Sequence, residues 1–490
     1  GEPYFGHQRG RFSKAELKEA DAFCRENGVE LVPCIQTLAH LNAMFKWINQ
    51  YGCINDTADI LLADDDRTYK LIDEMLATLA ECFTTRKIHI GMDEAHMLGK
   101  GKYYDKHGDK NRFDILLKHL MRVTEILKKY GFTPMMWSDM FFCLAGGGAY
   151  YHDKPIPAEV REKVPQEMQL VYWDYYHENA ELLDGMIESH LSFNRPVWIA
   201  GGAWTWRGLQ SDNAKSFRQT KAFIESARKY GVNNILMTMW GDNGGECSPY
   251  ALLPSLMYAA QCARGNFDLN QAKAKFESLF GEKWDDFLLC DFPCPAGVGE
   301  EGFQLGVKEL LYSDYFLSTF DCGVLGTGQE REVYRTLAEG LEKAAKNSKE
   351  YAYMFASYAA LCRVLSVKYD LGYLTREAYQ KGDKKALAAL LPDYEKTLGL
   401  LEEFTAKYEN MWFKENKPHG FDVQDIRLGG IMQRTKSCMR RLKEYVDGKS
   451  DRVEELEEAT VNFITGGKPD PEHCGARYNQ YSLIASANCM

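Results

Sequence analysis

Between residues 13 and 262, stretches with the apolar spacing of strands alternate with stretches that have the apolar spacing of helices. Short apolar runs predict strands, and the longer stretches between them have the spacing of amphipathic helices. The six predicted strands are residues 29–36, 87–92, 133–139, 169–174, 196–203 and 234–240. Strict alternation of strands and helices predicts a parallel sheet, and a closed barrel of this type needs eight strands.

Helix-terminal signals support the same arrangement. Ser13 and Glu16 form a capping-box pattern that predicts a helix to about residue 27, and Gly131 predicts the end of another. The predicted helices are residues 14–27, 66–84, 112–130, 179–189 and 213–230. We therefore expect residues 1–262 to form an α/β domain, a (β/α)8 TIM-type barrel with two of its eight strands missing from this chain; the family resemblance described below implies that these are the first two.

The pattern changes after residue 262. Residues 263–490 carry long Ala-, Leu-, Glu- and Lys-rich stretches with helical spacing, such as 330–368, 384–407 and 433–446. We expect an all-α C-terminal domain there. Within it, residues 417–430 combine a proline, glycines and Arg427 near the acids Asp422 and Asp425, which predicts an ordered loop that packs against the barrel.

Composition narrows the classes of function. The net charge of −11 and the lack of a basic patch argue against a nucleic-acid partner. No run of 18 apolar residues is present, so the sequence predicts no membrane span. The 14 cysteines are irregularly spaced, which favours free thiols in a reducing, cytoplasmic compartment. Because the chain opens at Gly1 in a loop-like segment, we expect its native N-terminus to be missing.

The chemistry of the chain is concentrated after the predicted strand 87–92. Its apolar residues run directly into two acids, Asp93 and Glu94. Charge at the edge of a core is costly, but the carboxyl ends of barrel strands are where such folds place catalytic groups. Neighbouring carboxylates shift each other's pKa values, so one can stay protonated near neutral pH and act as a general acid. The alternative interpretation is the first turn of a helix, where acids are also favoured.

The other predicted strands are followed by tryptophans, acids and one histidine. These residues are His40, Trp137, Asp139, Trp173, Asp174, Trp204, Trp206, Trp240 and Asp242. Aromatic walls combined with hydrogen-bonding acids suit a pocket for a sugar, whose C–H faces stack on rings while its hydroxyl groups bond to carboxylates. Each tryptophan taken singly is better explained as an ordinary core residue, and it is their repeated placement beside an acid or a turn that favours a pocket.

Three segments resemble glycoside hydrolase family 20, the β-N-acetylhexosaminidases, in the branch with a helical C-terminal domain. The stretch from His89 to Glu94 resembles the family's His-x-Gly-Gly-Asp-Glu signature. Residues 32–40 resemble its Val-Pro-Glu-Ile-Asp-x-Pro-Gly-His segment, and residues 240–242 resemble its Trp-x-Glu. The chain departs from the family at Met92, Cys34 and Gln36, where the family has glycine, glutamate and aspartate. It also has no counterpart of two earlier strands and a sugar-binding arginine.

The resemblance implies a substrate-assisted retaining mechanism, which is an exception among glycosidases. Asp93 would orient the substrate's acetamido group, and Glu94 would be the acid and then the base. The residues expected in substrate binding are His40, Trp137, Trp173, Trp204, Trp240, Asp242 and Tyr175. Tyr175 and Tyr176 are the two candidates for the family's acetamide-bonding tyrosine. The sequence leaves the choice between N-acetylglucosamine and N-acetylgalactosamine open.

Other functions remain open at this point. His89, Asp93, Glu94 and His96 could be metal ligands, but no second cluster completes a site, so we predict no metal and no cofactor. A non-catalytic sugar-binding protein is a second alternative, and a two-carboxylate glycosidase with Asp139 or Asp242 as nucleophile is a third. The expected partners are N-acetylhexosamine-containing glycans and a second copy of the chain in a homodimer.

Overall fold

The computed structural model describes residues 2–292, 306–324, 328–461 and 480–488. These residues belong to two compact units, Gly1–Gly202 with Arg218–Met237 and Ala203–Phe217 with Thr238–Met490. No helix among the described residues is long and apolar enough to cross a membrane. The predicted domain boundary at residue 262 stays a prediction.

A five-stranded sheet is the framework of the first unit. The strands in chain order are β1 Asn55–Thr57, β2 Ile60–Leu61, β3 Lys87–His89, β4 Thr133–Trp137, β5 Gln169–Trp173, β6 Val197–Gly202 and β7 Asn234–Thr238. Strands β3 to β7 pair in sequence order, and the pairs from β3 to β6 are parallel. Strands β1 and β2 form a separate antiparallel pair. The predicted parallel α/β architecture is confirmed, and the carboxyl ends of β3 to β5 lie at one edge of the sheet.

The segment 29–36 differs from the sequence prediction. It runs parallel to β3, but only Cys34 forms a bridge, with His89. The Ile35 N–H donates to the His89 carbonyl and the His89 N–H to the Pro33 carbonyl, each at 2.9 Å. Pro33 has no N–H to extend the ladder, so a regular strand does not form. The segment still brings residues 36–40 next to the end of β3.

Helices follow the strands as the sequence indicates. Up to residue 229 they are α1 Lys14–Glu26, α2 Asn42–Phe45, α3 Ile48–Tyr51, α4 Asp66–Cys82, α5 Lys102–His107, α6 Arg112–Lys129, α7 Asp139–Gly146, α8 Ala158–Lys163, α9 Ala180–Leu191 and α10 Asn213–Lys229. The capping box of Ser13 and Glu16 is present at α1. Single 3-10 turns occupy Gly52–Ile54, Pro249–Leu252, Leu289–Asp291, Asp321–Gly323 and Glu454–Leu456.

Helix α7 begins at Asp139, the last residue of the predicted strand 133–139, and continues into residues for which the sequence predicted no helix. Asp139, Met140, Phe141 and Phe142 are all buried, and burial of this apolar turn outweighs the low helix propensity of its glycine-rich end. Gly147 ends the helix with φ of 72°, a left-handed conformation that glycine adopts without strain. The helix fixes Asp139 at the end of β4.

The described part of the chain after residue 250 is helical, which agrees with the helical pattern predicted for residues 263–490. Its described helices are α11 Leu253–Ala263, α12 Leu269–Phe280, α13 Trp284–Leu288, α14 Val307–Tyr312, α15 Gln329–Asn347, α16 Ala352–Lys368, α17 Leu371–Gln380, α18 Lys384–Glu415, α19 Phe421–Val446 and α20 Tyr481–Ile484.

The loop predicted for residues 417–430 is largely helix. Helix α19 begins at Phe421, after Gly420 adopts φ of 100° and its N–H bonds to Asp422. Arg427 is nearly buried in the same unit and donates to the carbonyl of Asn243 at 2.6 Å and to the carboxylate of Glu246 at 2.6 Å. Both partners are distant from Arg427 in sequence, so the loop-like composition of residues 417–430 did not indicate these contacts.

Candidate active site

The carboxylates that follow β3 meet two side chains from the segment that runs beside it. Gln36 Nε2 donates to Asp93 Oδ1 at 2.8 Å. His40 Nε2 lies 3.1 Å from Asp93 Oδ2 and 3.5 Å from Glu94 Oε2. The structure therefore brings together His40, Asp93 and Glu94, three of the predicted site residues. Asp93 is held at both oxygens, which fixes the plane of its carboxylate.

The backbone of this cluster is strained at several positions. Met92 has φ of 75°, Glu94 of 51° and His40 of 58°, and non-glycine residues rarely adopt this left-handed region. Gly91, at φ of 70°, could not carry a side chain, because a Cβ atom would lie 2.0 Å from Gln36 Oε1. Strain of this kind clusters at functional sites, where surrounding contacts hold it.

His40 and Asp93 form an ion pair at neutral pH. The hydrogen bond to Asp93 raises the pKa of His40 to about 9 against the opposing effect of burial, and the charges of Asp93, Glu94 and Asp59 add to it. Burial alone would raise the pKa of Asp93, but hydrogen bonds from His40 and Gln36 outweigh it and hold that pKa below its usual value. The Asp59 carboxylate accepts the His40 backbone N–H at 3.0 Å. The site therefore contains the imidazolium of His40, which lies between the carboxylates of Asp93 and Glu94.

This ion pair predicts a pH-dependent contribution to stability. A histidine whose pKa is raised by folding stabilises the protein fully below pH 6.5, and this stabilisation is lost as the pH rises through about 9. We expect His40→Gln to lower the free energy of unfolding by more at about pH 6 than at about pH 10. Denaturant titrations of both proteins at the two pH values measure this, and a difference that is the same at both would contradict the ion pair.

Asp139, at the start of α7, is a third carboxyl group in the cluster. It is 1% exposed, and its Oδ2 accepts the backbone N–H of Glu94 at 2.8 Å. Burial raises the pKa of Asp139 to about 8, and the charge of Asp93 adds to the effect. The sequence suggested that one of the two adjacent acids would have the raised pKa. In the structure the pKa of Asp93 is lowered and that of Asp139 is raised.

The two adjacent acids differ in their access to solvent. The side chain of Asp93 is 14% exposed and that of Glu94 is 46% exposed. Asp93 is therefore recessed and fixed, whereas Glu94 reaches a position where it can exchange protons with a ligand or with water. This division suits one acid that orients a substrate group and another that transfers protons.

Aromatic rings lie next to the carboxyl groups. Trp137 is buried against the ring of His89, with centroids 4.4 Å apart. Burial lowers the pKa of His89 to about 4, and the imidazole Nδ1 accepts the Gly91 N–H, so this residue supports the fold of the site. Trp173 is partly exposed, lies beside the Asp139 carboxyl group and stacks on Tyr175 at 5.3 Å. The ring of Tyr150 lies 4.7 Å from that of Trp173.

The remaining predicted site residues belong to the second unit. Trp204 stacks on Trp206 with ring centroids 4.3 Å apart, and the Lys215 ammonium lies 3.6 Å from the centroid of the Trp204 ring. The carbonyl of Trp240 accepts the hydroxyl of Thr205 at 2.6 Å, and the Trp240 residue is half-buried. Asp242 is exposed.

Sequence reasoning missed two members of the cluster. Gln36 was noted only as a departure from the family pattern, although a polar residue four positions before His40 in a segment bound for the site was a usable signal. Asp59 lies in the loop between β1 and β2, and no motif marks it. Asp139 was identified as a strand-end acid, but its contact with the Glu94 backbone depends on α7, which the sequence did not predict.

Comparisons with known proteins agree with the motifs. Residues 5–185 match the model "Glycosyl hydrolase family 20, catalytic domain", and residues 292–475 match the "Glycoside Hydrolase 20C C-terminal domain". Hexosaminidase D of Bos taurus is 24% identical over 242 residues, which cover 46% of this chain and 64% of the relative. Hexosaminidase D of Homo sapiens is 25% identical over 301 residues, covering 55% and 58%.

The chain thus spans less than two thirds of the length of these two relatives. Among solved structures, the β-N-acetylhexosaminidase of Bacteroides fragilis aligns over 56% of each chain at 17% identity, with a TM-score of 0.40.

Proposed function

Because the chain belongs to glycoside hydrolase family 20, we propose that it is an exo-acting β-N-acetylhexosaminidase. It removes terminal β-linked N-acetylglucosamine or N-acetylgalactosamine from glycans, and the acetamido group of the substrate is the nucleophile. The observation that carries this proposal is the cluster of Asp93, Glu94 and His40 at the end of β3, with Gln36 on the far side of Asp93. Two carboxyl groups with different access to solvent match the two tasks of the reaction.

Asp93 acts on the acetamido group. Its carboxylate is ionised and recessed, and the hydrogen bonds from Gln36 and His40 leave further lone pairs on both oxygens. One of these accepts the N–H of the acetamido group and directs the acetamido oxygen towards the anomeric carbon. The same negative charge stabilises the positive charge that develops on the cyclic oxazolinium intermediate.

Glu94 transfers protons. In the first step it protonates the glycosidic oxygen as the C–O bond breaks, and the acetamido oxygen bonds to the anomeric carbon. In the second step the Glu94 carboxylate takes a proton from water as the water oxygen opens the intermediate at the same carbon. His40, within 3.5 Å of the carboxyl group, supplies a positive charge that favours its ionised form between the steps.

Aromatic residues enclose the sugar. Trp137 and Trp173 come from the ends of β4 and β5, and Tyr175 stacks on Trp173. We propose that these rings form the wall for the acetyl methyl group and the sugar face. The roles of Trp204, Trp240 and Asp242 in sugar binding stay predictions from the sequence.

A cytoplasmic location also stays a proposal, supported by ten free thiols among the described cysteines.

Product stereochemistry tests the mechanism. Two displacements at one carbon retain configuration, so the first product detected by NMR during hydrolysis of a nitrophenyl β-N-acetylhexosaminide should be the β-anomer. A cyclic thiazoline that resembles the oxazolinium should inhibit competitively, because enzymes bind mimics of their intermediates tightly. Release of the α-anomer, or no inhibition by the thiazoline, would contradict substrate assistance. Binding of N-acetylglucosamine without hydrolysis would instead indicate a sugar-binding protein.

A further inference from the structure

Asp139 is the one buried carboxyl group of the cluster to which the proposed mechanism gives no task. It enters from a different strand than Asp93 and Glu94, at the junction of β4 and α7. Its Oδ2 accepts the Glu94 N–H at 2.8 Å, and the Glu94 carbonyl accepts the His96 N–H at 2.6 Å. The N–H and the carbonyl of Glu94 are therefore both held. The φ angle of this residue is 51°, a backbone conformation that is unfavourable for any residue other than glycine. A contact that holds this conformation also holds the direction of the Glu94 side chain.

The surroundings of Asp139 favour an uncharged carboxyl group. The groups that face it are Asp93 and Glu94 after β3, Trp173 at the end of β5, Cys143 on α7 and Tyr150 after α7. Its Oδ1 is buried without a hydrogen-bond partner of ordinary geometry among the described residues. Burial and the charge of Asp93 raise the pKa of Asp139 and outweigh the Glu94 N–H and the Trp173 indole, which act to lower it. An ionised carboxylate here would add a third negative charge to Asp93 and Glu94 in a poorly solvated place.

We propose that Asp139 is a positioning residue for Glu94, and that it acts as a neutral carboxylic acid whose Oδ2 accepts the backbone hydrogen bond. This role rests on the proposed function of Glu94 as the acid and base. A neutral acceptor holds the backbone of Glu94 whether the Glu94 side chain is protonated or ionised, and it adds no further negative charge to the site. The raised pKa of Asp139, about 8, agrees with this form at neutral pH.

Two substitutions test whether Asp139 acts as a neutral hydrogen-bond acceptor, as a charged carboxylate or only as a structural side chain. Asp139→Asn keeps an oxygen acceptor without charge and should leave kcat/KM within about threefold of the unchanged protein at neutral pH. Asp139→Ala removes the acceptor and should lower kcat by about 10–10²-fold with little change in KM, because a small misplacement of a catalytic group is costly. The loss should be largest for substrates with poor leaving groups, which depend most on Glu94.

Stability measurements test the protonated form without any assay of activity. A carboxyl group whose pKa rises on folding keeps a proton in the folded state that the unfolded state releases, so stability falls as the pH rises from about 4 to about 8. Asp139→Asn removes this dependence. The ratio of unfolding equilibrium constants of the unchanged protein and Asp139→Asn should therefore rise on the order of 10²-fold between about pH 5 and about pH 8. Asp105→Asn, on the exposed surface of α5, is the control for the same chemical change.

The outcomes are distinguishable. Asp139→Asn as damaging as Asp139→Ala, or a stability ratio that does not change with pH, would overturn the neutral form. Full activity of folded Asp139→Ala on poor leaving groups would overturn the positioning role. An unchanged protein that does not hydrolyse N-acetylhexosaminides would refute the proposed function, and with it the role towards a catalytic Glu94, whereas the stability ratio would still decide the protonation of Asp139.

Discussion

Replacement of Glu94 by glutamine should lower kcat on natural-type N-acetylhexosaminides by about 10²–10⁴-fold, the usual contribution of a general acid and base. The amide introduced by Glu94→Gln would keep the size of the original side chain but could not donate a proton to the glycosidic oxygen. The loss should be smaller for nitrophenyl substrates, because their leaving groups depart with little protonation. Steady-state kinetics on a disaccharide and a nitrophenyl glycoside give the comparison.

Replacement of Asp93, the neighbouring acid, should give a different dependence on the leaving group. Asp93→Asn should impair both classes of leaving group to a similar degree, because Asp93 acts on the acetamido group and not on the aglycone. Glu159→Gln, on the exposed surface of α8, is the control for the same Glu-to-Gln change. Equal losses for both leaving groups in Glu94→Gln would show that its role has been misassigned, even if the enzyme is a hexosaminidase.

The parallel sheet was predictable because each of its strands is an apolar run followed by a helix-forming stretch. The segment 29–36 looked like another such strand, but Pro33 interrupts the donors of its ladder, and only Cys34 forms a bridge. The glycines of 146–148 hid helix α7 from sequence reasoning, although its buried residues Met140, Phe141, Phe142 and Cys143 supply an apolar face that stabilises it. The missing donor of Pro33 is a local cause, whereas tertiary burial, which no local pattern reports, decided the case of α7.

The candidate site was predictable in its residues but not in its electrostatics. Asp93, Glu94 and His40 stand at strand ends in recognisable motifs, and the structure brings them together. The division of protons among the acids depends on distances and burial that a sequence does not contain. Gln36 and His40 lower the pKa of Asp93, whereas burial raises the pKa of Asp139, which lies at the start of α7 and is distant in sequence.

The proposed mechanism makes the substrate's acetamido group indispensable. If that group is the nucleophile, its replacement by a hydroxyl group removes the reaction rather than weakening the binding. Binding alone discriminates a missing methyl-sized group by only about 10–200-fold. Loss of the nucleophile should give a far larger ratio, because Asp93 is then left beside the anomeric carbon with no group to direct. A two-carboxylate glycosidase would instead accept both sugars within the range that binding provides.

The measurement that tests this claim most directly is kcat/KM on a matched pair, nitrophenyl N-acetyl-β-glucosaminide and nitrophenyl β-glucoside, with the intact protein. We expect the first to be hydrolysed and the second to give a kcat/KM lower by well over the roughly 200-fold limit of binding discrimination. A ratio within that limit would contradict substrate assistance and would favour a carboxylate of the protein as the nucleophile.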